Sequence, residues 1–171
     1  MTKLRITKYN PQYRNDNGSY IKGEWTDISD IGKTFGDDIF TIEKYINTEN
    51  KYIKAAEILA DIFNLSKFYT IGLEGKSERI RHSNSYPHLY DRDILLVLKN
   101  IRDGGGLDIA NLGQVCRLVL RNELWCQIVV VSPSIRITFG HDYYMYFELE
   151  YSDVSFVKRL QKTGLYVEEI I

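Results

Sequence analysis

Residues 135–151 read IRITFGHDYYMYFELEY, and this stretch predicts two antiparallel strands joined by a short loop. Apolar and polar side chains alternate on both sides of Gly140, which is typical of strands with one buried face. Directly opposed residues must share a face, so a three-residue loop at 140–142 fits the alternation better than a two-residue turn. The predicted register consists of three pairs: Phe139 with Tyr143, Ile137 with Met145, and Ile135 with Phe147. The inward-facing set extends to Tyr151.

Further strands are predicted on both sides of this hairpin. Residues 125–131 are nearly all apolar, which favours a central strand covered on both faces. Residues 3–9 alternate apolar side chains with Arg5 and Thr7, which predicts a half-buried strand with a basic outer face. Residues 68–73 and 165–170 are also strand candidates, and a short strand is expected within 20–26.

Apolar residues at helical spacing predict helices near 48–64, 91–102, 109–122 and 153–163. Thr48, Asp91 and Asp153 are the expected starts of three of them, because short polar side chains accept hydrogen bonds from free N–H groups there. The sequence therefore predicts an α+β fold. We expect a single globular domain, residues 1–171, with a mostly antiparallel sheet packed by about four helices.

The composition indicates an ordinary globular protein. Its 22 basic and 23 acidic side chains leave a formal net charge of −1, which argues against a wide basic face for nucleic acid. The first ten residues lack the apolar run of a signal peptide, and no apolar run is long enough to span a bilayer. Cys116 and Cys126 lie in apolar stretches and are expected to be buried, reduced thiols. We expect a cytoplasmic protein without a membrane or nucleic-acid partner.

The outward side of the hairpin is the predicted partner-binding surface. Tyrosine provides a large contact area at a small cost in side-chain entropy, and carboxylates can meet a basic partner. The alternative is that a helix covers this face, or that it is solvated and holds cross-strand pairs such as Arg136 with Glu148. The residues of this predicted surface are Arg136, Thr138, Tyr144, Tyr146, Glu148 and Glu150.

Two polar pairs have the residue types of a reactive site. His141 and Asp142 could form the orienting pair of a general base, but adjacent loop residues seldom face each other, and a turn is the better interpretation. Asp37 and Asp38 lack the ligand count of a cation site and fit a turn before the next helix. We therefore predict no catalytic residues here.

Metal and cofactor sites are not supported by the remaining motifs. Structural zinc sites use closely spaced ligand pairs, whereas the cysteines are ten residues apart in a core pattern. By residue type alone, the candidate zinc ligands are Cys116, Cys126, His82 and His88. Three glycines at 104–106 follow a helix, whereas a phosphate-binding loop follows a strand and opens a helix. We expect no metal and no cofactor.

A basic and aromatic segment at 79–92 is an alternative contact site for phosphate or single-stranded nucleic acid. It contains Arg79, Arg81, His82, Tyr86, Tyr90 and Arg92. A solvated loop with ordinary charges explains the same residues.

Residues 9–32 read YNPQYRNDNGSYIKGEWTDISDIG and place Trp25 and three tyrosines in a turn-rich stretch. We interpret the segment as a structural connection that its aromatic residues pack onto the domain. Its pattern resembles the N-terminus of bacterial immunity proteins of polymorphic toxin systems. The matching residues are Tyr9-Asn10-Pro11, Tyr13-Arg14, Gly18, Tyr20, Glu24-Trp25-Thr26 and Ser29-Asp30-Ile31-Gly32. Residues 139–146, FGHDYYMY, are similar to the same group.

The resemblance implies a non-enzymatic cytoplasmic protein that binds and neutralises a cognate toxin, often encoded beside it. The near-neutral charge argues against a strongly acidic inhibitor directed at a nuclease. The alternatives are a small cytoplasmic α+β enzyme and a nucleic-acid-binding module that uses residues 79–92.

Overall fold

The computed structural model describes residues 1–77, 80–150 and 154–170, and their main feature is one antiparallel sheet. The strands are β1 Thr2–Thr7, β2 Thr34–Phe35, β3 Asp38–Ile39, β4 Lys67–Glu74, β5 Gly106–Asp108, β6 Trp125–Val130, β7 Ile135–Phe139, β8 Tyr144–Leu149 and β9 Tyr166–Ile170. Seven of them form a sheet in the order β5-β4-β6-β7-β8-β1-β9, and β2 and β3 form a separate ribbon. All the pairings are antiparallel.

Four helices lie among the described residues: α1 Ile42–Ile62, α2 Arg92–Asn100, α3 Ile109–Leu120 and α4 Val154–Gln161. The predicted α+β class is confirmed, with its antiparallel sheet and four helices. Asp91 caps α2 as predicted, since its carboxylate accepts hydrogen bonds from the N–H groups of Asp93 and Ile94. The predicted helix start at Asp153 lies outside the described residues.

The predicted start of α1 at Thr48 is wrong. The cap is Thr41, whose hydroxyl accepts a hydrogen bond from the Lys44 N–H. Thr48 lies inside the helix, where its hydroxyl donates to the Lys44 carbonyl. A threonine within a helix can satisfy its hydroxyl in this way, so residue type alone does not fix the boundary.

The hairpin of β7 and β8 has the predicted faces but a different register. Phe139 pairs with Met145, and Ile137 with Phe147, which shifts each predicted pairing by two residues. The loop is residues 141–143, and Gly140 donates a hydrogen bond to the Tyr144 carbonyl. A two-residue shift keeps every side chain on its face. Asp142 and Tyr143 both have a left-handed backbone, with φ of 59° and 65°, and Tyr143 therefore belongs to the loop and not to the strand. Tyr151 lies outside the described residues.

Two other strand predictions are wrong. β6 is not covered on both faces: Cys126 and Ile128 are buried, whereas Trp125 and Gln127 on the other face are only half-buried. Residues 20–26 form no strand, and only an isolated bridge joins Tyr20 to Arg14. The short edge strand β5, which follows the glycines, was not predicted.

The helices and one face of the sheet share a single hydrophobic core. The inner face includes Leu4 of β1, Ile137 of β7 and Phe147 of β8, all fully buried. Phe147 stacks on Phe156 of α4, with ring centroids 6.4 Å apart. No helix among the described residues is long and apolar enough to cross a membrane.

A buried ion pair links α1 to the end of α3. Glu49 and Arg121 expose 1% and 3% of their side chains. The guanidinium donates two hydrogen bonds to the carboxylate, at 2.7 and 2.6 Å. Tyr45 donates a further hydrogen bond to Glu49, at 3.2 Å. Each buried charge therefore has partners, as the low dielectric of a core requires.

Residues 9–32, called the N-terminal clasp below, lie against the sheet and α1. Trp25 stacks on Phe40 with centroids 4.2 Å apart, and its ring also meets Tyr143 at 4.9 Å. The Tyr9 hydroxyl donates to the Trp25 carbonyl. These contacts agree with the interpretation of the segment as a structural connection held by aromatic packing.

Candidate functional site

The side of the sheet opposite the core, called the outer face below, carries the predicted partner-binding residues. On β7 and β8, Arg136 pairs with Glu148 and Thr138 with Tyr146. Tyr144 begins β8 on the same face and pairs with Thr7 of β1. Five of the six predicted residues are thus brought together. Glu150 follows the end of β8, where its carboxylate accepts a hydrogen bond from the Ser134 N–H at 3.3 Å.

The tyrosines of the outer face are fixed by their neighbours. The rings of Tyr144 and Tyr146 stack at 24°, with centroids 6.3 Å apart. Tyr146 lies over Gly140, where a Cβ atom would come within 3.0 Å of its ring. Lys3 places its ammonium group 5.3 Å from the Tyr146 centroid. Ordered rings lose little conformational entropy when a partner binds.

The N-terminal clasp covers one end of the outer face. Arg14 donates a hydrogen bond to the Tyr144 hydroxyl at 3.2 Å, and the ring of Tyr9 lies 5.2 Å from that of Tyr144. The helices share the core on the other side of the sheet, so the alternative that a helix covers the predicted surface is wrong for the described residues. The clasp therefore covers one edge of Tyr144, and both tyrosines are half-buried.

The carboxylates of the outer face have cationic partners within the chain. Glu148 lies between Lys3, at 3.0 Å, and Arg136, at 3.9 Å. The cross-strand pair of Arg136 with Glu148, which belongs to the alternative of a solvated face, is therefore present. Glu168 of β9 likewise binds Arg5 and Arg14, at 3.0 and 3.2 Å. The expectation that the hairpin offers free carboxylates to a basic partner needs correction at Glu148.

Four of these charged residues were missed by sequence reasoning: Lys3, Arg5, Arg14 and Glu168. The alternation in 3–9 did indicate a basic outer face, but nothing in the sequence places β1 beside β8. The ion pair of Arg5 with Glu168 joins residues 163 positions apart. Local periodicity carries no signal for such a pairing.

An open cleft lies at the tip of the hairpin, with a volume of about 800 Å³. Trp125 and Phe139 contribute apolar lining, and the indole N–H donates to the Phe139 carbonyl at 3.0 Å. The polar lining includes Asp27, Glu74, Arg81, His141 and Asp142. His141 and Asp142 are both exposed on the loop. No hydrogen bond or ion pair among the described residues joins these two, which agrees with the turn interpretation.

The four residues that sequence analysis rejected as a zinc set form no metal-binding group among the described residues. Cys116 and Cys126 are buried free thiols, and burial raises the pKa of Cys126 to about 12. His82 is half-buried and His88 exposed on the connection between β4 and α2. Within the described ranges, no three histidine, cysteine or acidic side chains are grouped to hold a metal ion.

The connection that contains the basic and aromatic segment is anchored to Glu123. The carboxylate accepts hydrogen bonds from the backbone N–H groups of Arg81 and His82, and from the Tyr90 hydroxyl at 2.6 Å. Burial and this bond raise the pKa of Tyr90. Arg79 lies outside the described residues. The described contacts of the segment are therefore those of a fixed structural loop.

The acidic pair at 37–38 belongs to the ribbon of β2 and β3. Asp37 occupies the turn, and Asp38 forms an ion pair with Lys44 of α1. The predicted turn before the helix is confirmed, although the two strands around it were not predicted.

Comparison of the chain with protein-family models, with curated proteins and with solved structures gives no match. The resemblance to immunity proteins, which is carried by residues 9–32 and 139–146, stays a prediction.

Proposed function

We propose that this protein is a cytoplasmic, non-enzymatic immunity protein that binds and neutralises a cognate bacterial toxin through the outer face of its sheet. The observation that carries the proposal is the uncovered hairpin of β7 and β8, where Tyr146, Thr138 and Arg136 lie side by side on rigid strands. Residues 9–32 and 139–146 resemble bacterial immunity proteins, and this resemblance is the reason for proposing a toxin as the partner.

The size of the outer face determines how much of it a protein partner would have to contact. Seven strands about 4.8 Å apart and about 18 Å long give a surface of about 600 Å². A stable protein complex buries about 800 Å² on each side. The whole face is smaller than this, so a toxin would have to contact all of the face that the clasp leaves open, including β4 and β6, together with residues beyond the sheet.

Co-expression with the product of the neighbouring gene is the direct test. We expect that product to stop growth when it is made alone, and this protein to restore growth and to co-purify with it. Tyr146→Ala should weaken the complex about tenfold or more, as loss of a central tyrosine does. Leu96→Ala, at an exposed position of α2, is the matched control and should bind like the wild type. The proposal is contradicted if the product of the neighbouring gene is not toxic. It is also contradicted if that product is toxic but this protein neither binds nor neutralises it.

A second candidate, a small enzyme, is favoured by the cleft at the hairpin tip. His141 lines it together with the carboxylates Asp27 and Glu74, which are groups suited to acid–base chemistry. Under the immunity proposal, His141→Ala should neutralise the toxin as the wild type does. An enzymatic mode of protection would instead require His141, and the variant would then bind the toxin without restoring growth.

A further inference from the structure

One continuous row of side chains crosses the outer face through the centre of the hairpin. The strand registers place these residues side by side: Tyr69, Val129, Arg136, Glu148, Lys3 and Ile170. Tyr69 is exposed, and Val129 is half-buried. The row therefore has an apolar end on β4 and β6 and a charged centre on β7, β8 and β1.

The charged centre has more cation than carboxylate. Lys3 and Arg136 expose 44% and 45% of their side chains, whereas Glu148 between them exposes 20%. The ion pair of Arg136 with Glu148, at 3.9 Å, is too long for a hydrogen bond. Within the described residues the guanidinium has no hydrogen bond, so its N–H donors are available to a partner. A guanidinium with free donors matches a carboxylate in two parallel bonds.

The other charges of the outer face do not cancel this centre. Arg5 and Arg14 are largely buried and share Glu168. Glu150 is exposed beyond the end of β8 and forms no ion pair with Arg136 among the described residues. The outward positions within β1, β7, β8 and β9 thus hold three cations, Lys3, Arg5 and Arg136, and two carboxylates, Glu148 and Glu168.

We infer that the outer face recognises an acidic protein surface, with an aspartate or glutamate of the partner bound between Lys3 and Arg136 and apolar partner residues on Tyr69 and Val129. This inference rests on the proposed function, because it assigns the chemistry of the toxin surface that meets the same face. It reverses the polarity expected from tyrosines beside free carboxylates.

The polarity can be tested without the toxin. Two acetylated, amidated tetrapeptides are titrated into the ¹⁵N-labelled protein, one alternating tyrosine with glutamate and the other tyrosine with lysine. We expect the acidic peptide to shift the amide signals of β1, β7 and β8, and Arg136→Glu to weaken its binding about tenfold. Arg159→Glu on α4 is the charge-matched control and should bind as the wild type does. Equal or stronger binding of the basic peptide, binding of neither, or no effect of Arg136→Glu overturns the inference.

The toxin experiment separates this inference from the proposed function. If the wild type binds and neutralises the neighbouring gene product but Lys3→Glu and Arg136→Glu bind it equally well, the function stands and the polarity is wrong. If the acidic peptide binds as expected but the gene product is not bound, the face recognises acidic partners and the immunity proposal fails.

Discussion

Lys8 carries an ammonium group into a nearly closed site beside the N-terminal clasp. Its side chain is 7% exposed and lies 3.4 Å from Glu24. The ammonium is 3.8 Å from the Tyr9 ring centroid and 4.2 Å from that of Trp25. Burial lowers the pKa of Lys8 from 10.5 to about 8, although Glu24 opposes the change. The aromatic rings and one carboxylate thus only partly replace the lost hydration.

This pKa predicts a pH dependence of stability. Between pH 8 and 10.5 the unfolded chain holds more protons at Lys8 than the folded protein, so the free energy of unfolding rises with pH. Relative to Lys8→Met, the wild type should gain about 2 kcal/mol between pH 8 and about pH 10. Denaturant unfolding across this range measures the difference. Lys162→Met, at an exposed position, is the control, and an unchanging difference between wild type and Lys8→Met would refute the assignment.

The pair of Glu49 and Arg121 predicts a large effect from a small substitution. Glu49→Gln leaves the buried guanidinium without its counterion, so the free energy of unfolding should fall by about 3–5 kcal/mol. Asp61→Asn breaks the exposed pair with Arg159, and should cost less than about 1 kcal/mol. Urea titration of both variants gives the comparison. Equal decreases in the free energy of unfolding of the two variants would mean that the buried ion pair stabilises the fold no more than the exposed one.

At the scale of elements, the N-terminal clasp depends on Trp25. Trp25→Ala removes the stack on Phe40 and the contact with Tyr143, which should lower the free energy of unfolding by about 2–4 kcal/mol. Tyr13→Ala removes a partly exposed ring and should cost less than about 1 kcal/mol. We also expect faster proteolysis within residues 9–32 of Trp25→Ala. If cleavage elsewhere rises equally, the loss is global and the clasp is not a separate element.

The sequence predicts which side chains lie on the buried face of a strand better than it predicts how the strands pair. Alternation assigns Ile137 and Phe147 to the core without knowledge of the register, and a shift of two leaves that assignment intact. The left-handed backbone of Tyr143 has no sequence signal, since glycine or asparagine is usual there. The apolar sequence of β6 predicts a strand buried on both faces. The prediction fails because valine is also common on a half-exposed strand face.

Sequence analysis could predict only those residues of the candidate site that lie on the hairpin of β7 and β8. Arg136, Thr138, Tyr144, Tyr146 and Glu148 share two adjacent strands, so their alternation groups them. Lys3 reaches Glu148 because β1 pairs with β8, a contact between distant parts of the chain. Such contacts depend on the whole topology, which local patterns do not determine.

At the scale of the whole molecule, buried tyrosines limit stability in alkali. Burial raises the pKa of several tyrosines above the ordinary value of 10, among them Tyr9, Tyr45, Tyr52, Tyr90 and Tyr143. Above that pH the unfolded chain releases protons that the folded protein retains, so the free energy of unfolding falls with rising pH.

Five such tyrosines should lower stability by about 7 kcal/mol for each pH unit above 10. This is comparable to the total stability of a domain of this size, so we expect cooperative unfolding within about one to two pH units above 10. Circular dichroism and tyrosinate absorbance, recorded together, should show that the buried tyrosines ionise only as the structure is lost. The protein in guanidinium chloride is the reference for free titration, and ionisation of all 13 tyrosines before any loss of structure would contradict the prediction.

The place of β1 between β8 and β9 has a consequence during synthesis. The first strand leaves the ribosome long before its partners, because β8 ends at Leu149 and β9 begins at Tyr166. At about 5–20 residues per second, the nascent β1 waits for roughly 7 to 30 seconds with Leu4 and Ile6 uncovered. The end of the sheet that contains β1 and β9 therefore closes only after β8 and β9 have been synthesised, and until then the nascent chain is a substrate for chaperones.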